Sequence, residues 1–328
     1  MRLMHLLIPF AAPLSEAGRQ VLSTLALPGL QRVLARMPAG SPRQRRGVDD
    51  ERVVNLGDEW SLTPPHERAL ASALGWQGAD GCLPWAARCA AADGVAVGQL
   101  AWGLLSPTHW HLGTDQVSLI DPATLLLDEA GSRSLFEAVR PLFTSQGFEL
   151  AWGSAERWYA AHDSLAALPC ASLDRVVGRN VDRWLGHSAA ARRIRLLQSE
   201  VQMLLYGHPL NEAREARGLL PVNSFWLSGC GVAQPVVATE PVVDERLRAS
   251  ALSEDWPGWA RAWQTLDEGP IAALGAALAQ GRAVQLSLCG ERLSLHFLAA
   301  PQRALKGFMR GLRSLWPRPP VQLLLERL

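Results

Sequence analysis

Near the C-terminus, Val284, Leu286 and Leu288 alternate with Gln285 and Ser287. Leu293, Leu295 and Phe297 alternate with Ser294 and His296, and Cys289-Gly290-Glu291 separates the two runs. A β-strand turns successive side chains to opposite faces, so this period of two predicts a hairpin with one buried and one polar face. An all-helical fold has no place for it. A further hairpin is expected where residues 148–152 and 157–161 flank Gly153-Ser154-Ala155-Glu156. Residues 3–10 read as a buried first strand, and 95–104, 108–112, 116–120 and 224–228 as further strands.

Helical spacing occupies the intervals. Ile194, Leu197, Val201, Leu204 and Leu205 form one stripe over 188–206, and Leu135, Phe136, Val139, Leu142 and Phe143 another over 132–143. A helix from a Ser15 cap to about Arg36 should break or kink at Pro28. Thr63 can cap a helix reaching Leu74 with Pro64 at its first position. Asn211 can cap a short helix stopped by Gly218, and 269–280 is helical. Residues 301–315 read as a basic helix and 321–325 as a last strand or tail. The fold class expected is α/β, a mixed β-sheet with flanking helices and at least two hairpins. Gly186-His187-Ser188 separates differently patterned halves. That divides the chain into regions 1–187 and 188–328, with one continuous domain as the alternative.

Charge narrows the partners. The 328 residues carry 32 Lys and Arg against 31 Asp and Glu, which argues against binding nucleic acid through phosphate contacts alone. The segment 38–51 reads as an exposed loop in which Asp49 and Asp50 dilute Arg43, Arg45 and Arg46. No run approaches ~18 uninterrupted apolar residues, so no membrane partner is expected. The five cysteines are widely spaced with no C-x-x-C pair, which suits a reduced cytoplasmic protein better than a disulfide framework. Lys306 is the only lysine, poor support for lysine chemistry. Thirteen Trp against two Tyr predict core or half-buried indole anchors.

Common catalytic motifs are missing: there is no G-x-x-x-x-G-K-[ST], G-x-S-x-G or H-E-x-x-H, and no EF-hand loop. Gly229-Cys230-Gly231 lacks the third glycine of a dinucleotide fingerprint and reads as a tight turn at a strand end. His109 and His111 stand two apart, so on a strand they share a face. With Asp115 or Asp121, brought near by a turn of the chain, they form a candidate metal set, and polar residues around an inward Trp110 are the alternative.

The most distinctive stretch runs from Tyr206 to Gly231: His208-Pro209-Leu210-Asn211, then Arg214, Gly218, Pro221-Val222-Asn223-Ser224-Phe225-Trp226, and Gly229-Cys230-Gly231. From local physics it serves equally as a helix-to-strand connector or a ligand site. It resembles a segment of the archaeal-type cofactor-independent phosphoglycerate mutases. It is more similar to the bacterial RpfE-type regulatory proteins, a likeness extending to residues 106–115, to Arg157-Trp158-Tyr159 and to Gly178-Arg179-Asn180. The mutase resemblance implies an alkaline-phosphatase-like fold, here degenerate, and catalysis with two divalent metals, an Asp/His ligand set and a Ser or Thr nucleophile. Two metals would clamp the attacking and leaving oxygens of a phosphoryl group. This chain shows no early Asp-Gly-x-Gly-Asp motif, and beyond residue 231 it offers only Asp244, Asp255, Asp267 and His296 for such a set.

The expectation is therefore a non-catalytic cytosolic regulatory or ligand-binding protein without cofactor. Its partner would be a small anionic ligand, held near His208, Asn211, Arg214, Asn223, Trp226, Gly229 and Gly231, or another protein. The alternatives are a phosphomutase or phosphatase with Mn or Zn on His109, His111, Asp115 and His208, and a Trp-rich scaffold for protein or nucleic acid.

Overall fold

The structure is a computed structural model that describes residues 3–37, 59–237, 239–299 and 320–328. The predicted loop 38–51 with its arginines, and the predicted helix 301–315 with Lys306, lie outside the described residues. The first elements are β1 (Met4–Ile8), α1 (Glu16–Thr24), α2 (Pro28–Arg36), α3 (Pro65–Leu74), α4 (Trp85–Ala92), β2 (Ala101–Thr108), β3 (Trp110–Leu112), β4 (Val117–Leu119) and α5 (Glu129–Ser145). Next come β5 (Glu149–Ser154), β6 (Arg157–Ala161), α6 (Leu173–Val176), α7 (Ala189–Tyr206), α8 (Pro209–Glu215), β7 (Ser224–Val232) and β8 (Val242–Val243). Then follow α9 (Arg248–Leu252), α10 (Trp256–Leu266), α11 (Ala272–Ala279), β9 (Val284–Cys289) and β10 (Ser294–Ala299), with a short helix Val321–Leu325 at the end. The fold is mixed α/β, as the alternation of patterns predicts.

Two units form. The first comprises the described residues within Met1–Glu59, Pro64–Gly75 and Val237–Leu328; the second comprises Trp60–Thr63 and Trp76–Val236. The crossovers do not coincide with the division near residue 187. Helix α7, on the far side of that division, packs on α5 and β7 within the second unit.

The first unit is built on a four-stranded sheet, order β10-β9-β1-β8. β1 pairs parallel with β8 and β9, and β9 with β10 forms the predicted antiparallel hairpin. Leu6, Leu7 and Ile8 are all buried, as expected of a central parallel strand covered on both faces. Leu22, Leu30, Val33, Trp259, Trp263 and Leu274 form the larger core beside it, and Leu7, Ala69 and Cys289 a smaller cluster. Ser15 caps α1 and Pro28 opens a separate α2, so the predicted break is complete. Helix α3 begins one residue later than expected, with Pro64 in the cap position and Pro65 at the first turn, so Thr63 lies outside it. Residues 321–325 are helical, not extended: Pro320 precedes their first turn, and Val321 and Leu325 are both buried.

The second unit carries an antiparallel sheet, order β5-β6-β2-β7, and a β3–β4 ribbon. Phe136 and Phe143 of α5 and Leu197 and Val201 of α7 join Trp158 and Phe225 of the sheet in one core. Ala86, Ala87 and Ala90 of α4 cluster with Trp102, Tyr159 and Ala161. The strand predicted over 95–104 starts only at Ala101, because Gly98 takes φ 55° in a turn. Among the described residues no helix is long and apolar enough to cross a membrane.

Candidate functional site

The distinctive segment begins where α7 ends. Pro209 occupies the first position of α8, and the residue before it, His208, is the cap: its Nδ1 accepts from the Leu210 N–H at 3.2 Å. Asn211, expected as the cap, lies inside α8 and is 3% exposed. Its Nδ2 donates to Leu205 O and to Val222 O, both at 2.8 Å, and its Oδ1 accepts from the Val222 N–H at 2.9 Å. Arg214 is 4% exposed and donates from Nε to Leu220 O at 2.9 Å and from Nη2 to Leu125 O. Burial, with Arg217 adding to it, pulls the Arg214 guanidinium below its usual range.

The strand end continues the pattern. Asn223 Oδ1 accepts from the Trp110 N–H at 2.7 Å, and its Nδ2 donates to Trp110 O at 3.0 Å. Trp226 Nε1 donates to Ala171 O at 2.9 Å. A Cβ on Gly229 would lie 2.9 Å from Ala86 N, and Gly229 takes φ 62°, so this glycine permits close approach of α4 to β7. The polar side chains singled out in this segment thus clasp its own backbone and that of neighbouring loops and strand β3.

The histidine pair is present in part. The His109 and His111 rings lie 6.2 Å apart, but His109 Nδ1 bonds Pro221 O at 2.8 Å. A carbonyl only accepts, so Nδ1 carries the proton and Nε2 is left for other partners. Asp115 is exposed in the β3–β4 turn. Among the described residues, no three or more His, Cys, Asp or Glu side chains group so as to hold a metal ion. Gly178-Arg179-Asn180 lies along β4: the Gly178 N–H donates to Leu119 O at 2.8 Å, and Asn180 bridges Ser118.

Sequence reasoning missed a small cleft in the second unit, lined among others by Cys170, Trp184, Arg195, Gln198, Trp226 and Leu227. Trp226 is the one expected site residue that borders it. Trp184 is 5% exposed, and its buried Nε1–H has no hydrogen-bond partner among the described residues. Gln198 is buried on the apolar face of α7 and donates from Nε2 to Phe225 O at 3.2 Å. A glutamine set between Leu197 and Val201 on a buried stripe was the sequence signal available.

A second polar cluster in this unit is closed on itself. Asp93 accepts from Arg157 Nε at 2.9 Å and Nη2 at 2.8 Å, and from the Tyr159 hydroxyl at 2.5 Å. The Arg157 hydrogen bonds, aided by Tyr159, hold the Asp93 carboxyl below its usual range against the opposing effect of burial. It is a poor proton acceptor and ties the end of α4 to the β5–β6 hairpin.

In the first unit, the carboxyl ends of parallel strands are where open α/β sheets receive ligands. There Phe10 holds φ 54°, an outlier for a bulky residue, with the His66 ring 5.2 Å away. Within the sheet, Ser287 Oγ lies 2.8 Å from both His5 Nε2 and His296 Nδ1. Burial first, and the charge of His296 second, pull His5 down to about 4. The unfolded chain therefore takes up a proton at His5 that the folded chain refuses between pH 6.5 and about 4. Stability from this group is whole above pH 6.5 and falls with pH. Denaturant titrations should show His5 costing about 2 kcal/mol at pH 5 relative to pH 7.5; His5→Gln should lose that part of the pH dependence and keep the part due to His296, which burial also pulls down. An equal pH dependence in the variant would show that His5 is not the group responsible.

No family model matches the chain, and no curated protein matches it. Among solved structures it is similar to a cofactor-independent phosphoglycerate mutase from Thermoplasma acidophilum, at 14% identity and TM-score 0.32, covering 100% of this chain and 99% of that one. It is also similar to the PH0037 protein from Pyrococcus horikoshii, at 11% identity and TM-score 0.44, covering 92% of this chain and 88% of that one.

Proposed function

We propose that the chain is a non-catalytic, cytoplasmic ligand-binding regulator and that its small anionic ligand enters the cleft beside Trp184, Gln198 and Trp226. The observation that carries this reading is the inward use of the distinctive segment: Asn211, Arg214 and Asn223 bond backbone groups. Side chains committed in this way hold a scaffold and do not move protons or phosphoryl groups. The cleft supplies what the segment does not. It has indole walls and a guanidinium on Arg195, and the Nε1–H of its lining residue Trp184 is buried and unpartnered, a donor that a ligand oxygen would meet once the lining shifts. The five free thiols suit a reducing compartment.

The test uses the full chain with inorganic phosphate, 3-phosphoglycerate and short carboxylic acids in calorimetric titrations. Saturable binding is expected with at least one of them. Trp184→Phe keeps an aromatic six-membered ring but removes the donor together with the pyrrole edge, so affinity should fall about fivefold to tenfold. Absence of binding to any probe, or binding unchanged in Trp184→Phe, overturns the cleft assignment. The 6.2 Å approach of His109 and His111 favours a second reading, metal-dependent phosphoryl transfer. Phosphoglycerate mutase or phosphatase turnover with Mn²⁺ or Zn²⁺, lost in His109→Ala, would establish that reading instead.

A further inference from the structure

Cys170 lies in the loop before α6, half-buried on the lining of the cleft, and Cys230 lies fully buried in β7 behind it. Their Sγ atoms are 3.5 Å apart although 60 residues separate them in the chain. We infer that Cys170 and Cys230 form an oxidation site, at which hydrogen peroxide reaching Cys170 through the cleft converts the two thiols to a disulfide.

Geometry carries the inference. Two sulfurs at 3.5 Å are already in contact, and a disulfide at ~2.05 Å asks for a further approach of about 1.5 Å. The Cys170 backbone is held on both sides. Its N–H donates to Gly81 O at 3.0 Å, and the next residue, Ala171, accepts from Trp226 Nε1 at 2.9 Å. Trp226 and Cys230 share β7, so the loop and the strand are fastened together beside the sulfurs. A third thiol, Cys82, is adjacent to Gly81 and interacts electrostatically with Cys170 and Cys230. Burial, then Cys170 and Asp80, push Cys82 up, and the hydrogen bond with Cys170, then burial, push Cys230 up, which keeps both protonated in the resting protein.

The chemistry balances with peroxide as the two-electron oxidant. The Cys170 sulfur attacks one peroxide oxygen, the O–O bond breaks, and a sulfenic acid and one water result. The Cys230 sulfur then attacks the Cys170 sulfur. The S–O bond breaks, the hydroxide leaves as a second water with the Cys230 proton, and the S–S bond forms. Both sulfurs are oxidised, both peroxide oxygens are reduced to water, and an external dithiol restores the thiols.

The experiment treats the full-length protein with peroxide near stoichiometry, blocks residual thiols by alkylation under denaturing conditions, and maps peptides by mass without reduction. Two of the five thiols should be lost, and one cross-linked pair should join the Cys170 and Cys230 peptides. Reduction should return both. In Cys230→Ser, dimedone should trap Cys170 as its sulfenic acid, and in Cys82→Ser the cross-link should form as in the wild type. Retention of all five thiols, linkage of Cys170 to Cys82, or over-oxidation of Cys170 with no cross-link would overturn the inference. The wild-type map decides the matter even if Cys230→Ser fails to fold. The readout is covalent state without added ligand, so it succeeds or fails independently of the binding titrations.

Discussion

Asn211→Ala should lower the unfolding free energy by about 3 kcal/mol, read from denaturant midpoints followed by tryptophan fluorescence. The side chain is buried and makes three hydrogen bonds, all to backbone groups. It joins the end of α7, through Leu205 O, to both polar groups of Val222 just before β7. Truncation leaves the N–H and C=O of Val222 buried without this partner and at their full desolvation cost, while Leu205 O keeps the His208 N–H at 3.2 Å. Asn211→Asp is the sharper variant. It keeps the shape and the Oδ1 acceptor but replaces two donors with an oxygen facing two carbonyl oxygens. It should be at least as destabilising at neutral pH and partly recover in acid, where a protonated carboxyl can donate once more. If Asn211 were instead a ligand contact, both variants would keep wild-type midpoints and lose only binding. That outcome would restore the expectation of a ligand site within the segment.

What the sequence discloses here follows from how local each interaction is. The β9–β10 hairpin, the β5–β6 hairpin and α7 each carry their whole pattern within a short window, and each forms where alternation or helical spacing places it. Helix α4, Trp-Ala-Ala-Arg-Cys-Ala-Ala-Ala, has little contrast between faces, so no stripe marks it. Helix α10 begins Trp256-Pro257-Gly258 and is not expected from the sequence; proline is acceptable in its first turn, where the missing N–H costs nothing. The parallel pairing of β1 with β8 and β9 joins the two ends of the chain, and no local window contains both partners. The same limit applies to the sites. The residues around Asn211 could be singled out, but which backbone groups they meet is decided by Trp110, Leu125 and Val222. The cleft draws on Cys170, Trp184, Gln198 and Trp226, from four separate elements or loops with no shared motif.

Asp267→Ala should have an effect of similar size in the first unit, about 3 kcal/mol, because this carboxylate caps a helix distant in sequence. Helix α2 follows Leu27, which offers no side-chain cap, and Pro28, which has no N–H. The next two amides are satisfied from Asp267: Gly29 N–H donates to Oδ2 at 2.7 Å and Leu30 N–H to Oδ1 at 2.6 Å. A negative charge at a helix N-terminus, bonded through both oxygens, combines charge-assisted hydrogen bonds with the favourable end of the helix dipole. Asp267 is 4% exposed, so water does not readily replace it when it is removed. Asp267→Asn should cost roughly half as much, since its carboxamide retains one accepting oxygen for two donors. Gly29 tests the same contact from the other side: a Cβ there would lie 2.7 Å from Asp267 O and 2.9 Å from Oδ1. Gly29→Ala should therefore destabilise the wild type and cost less in the Asp267→Ala background, where only the backbone contact remains. Simple additivity of the two substitutions would mean that the carboxylate and the glycine do not act on one another, and the cap would have to be sought elsewhere.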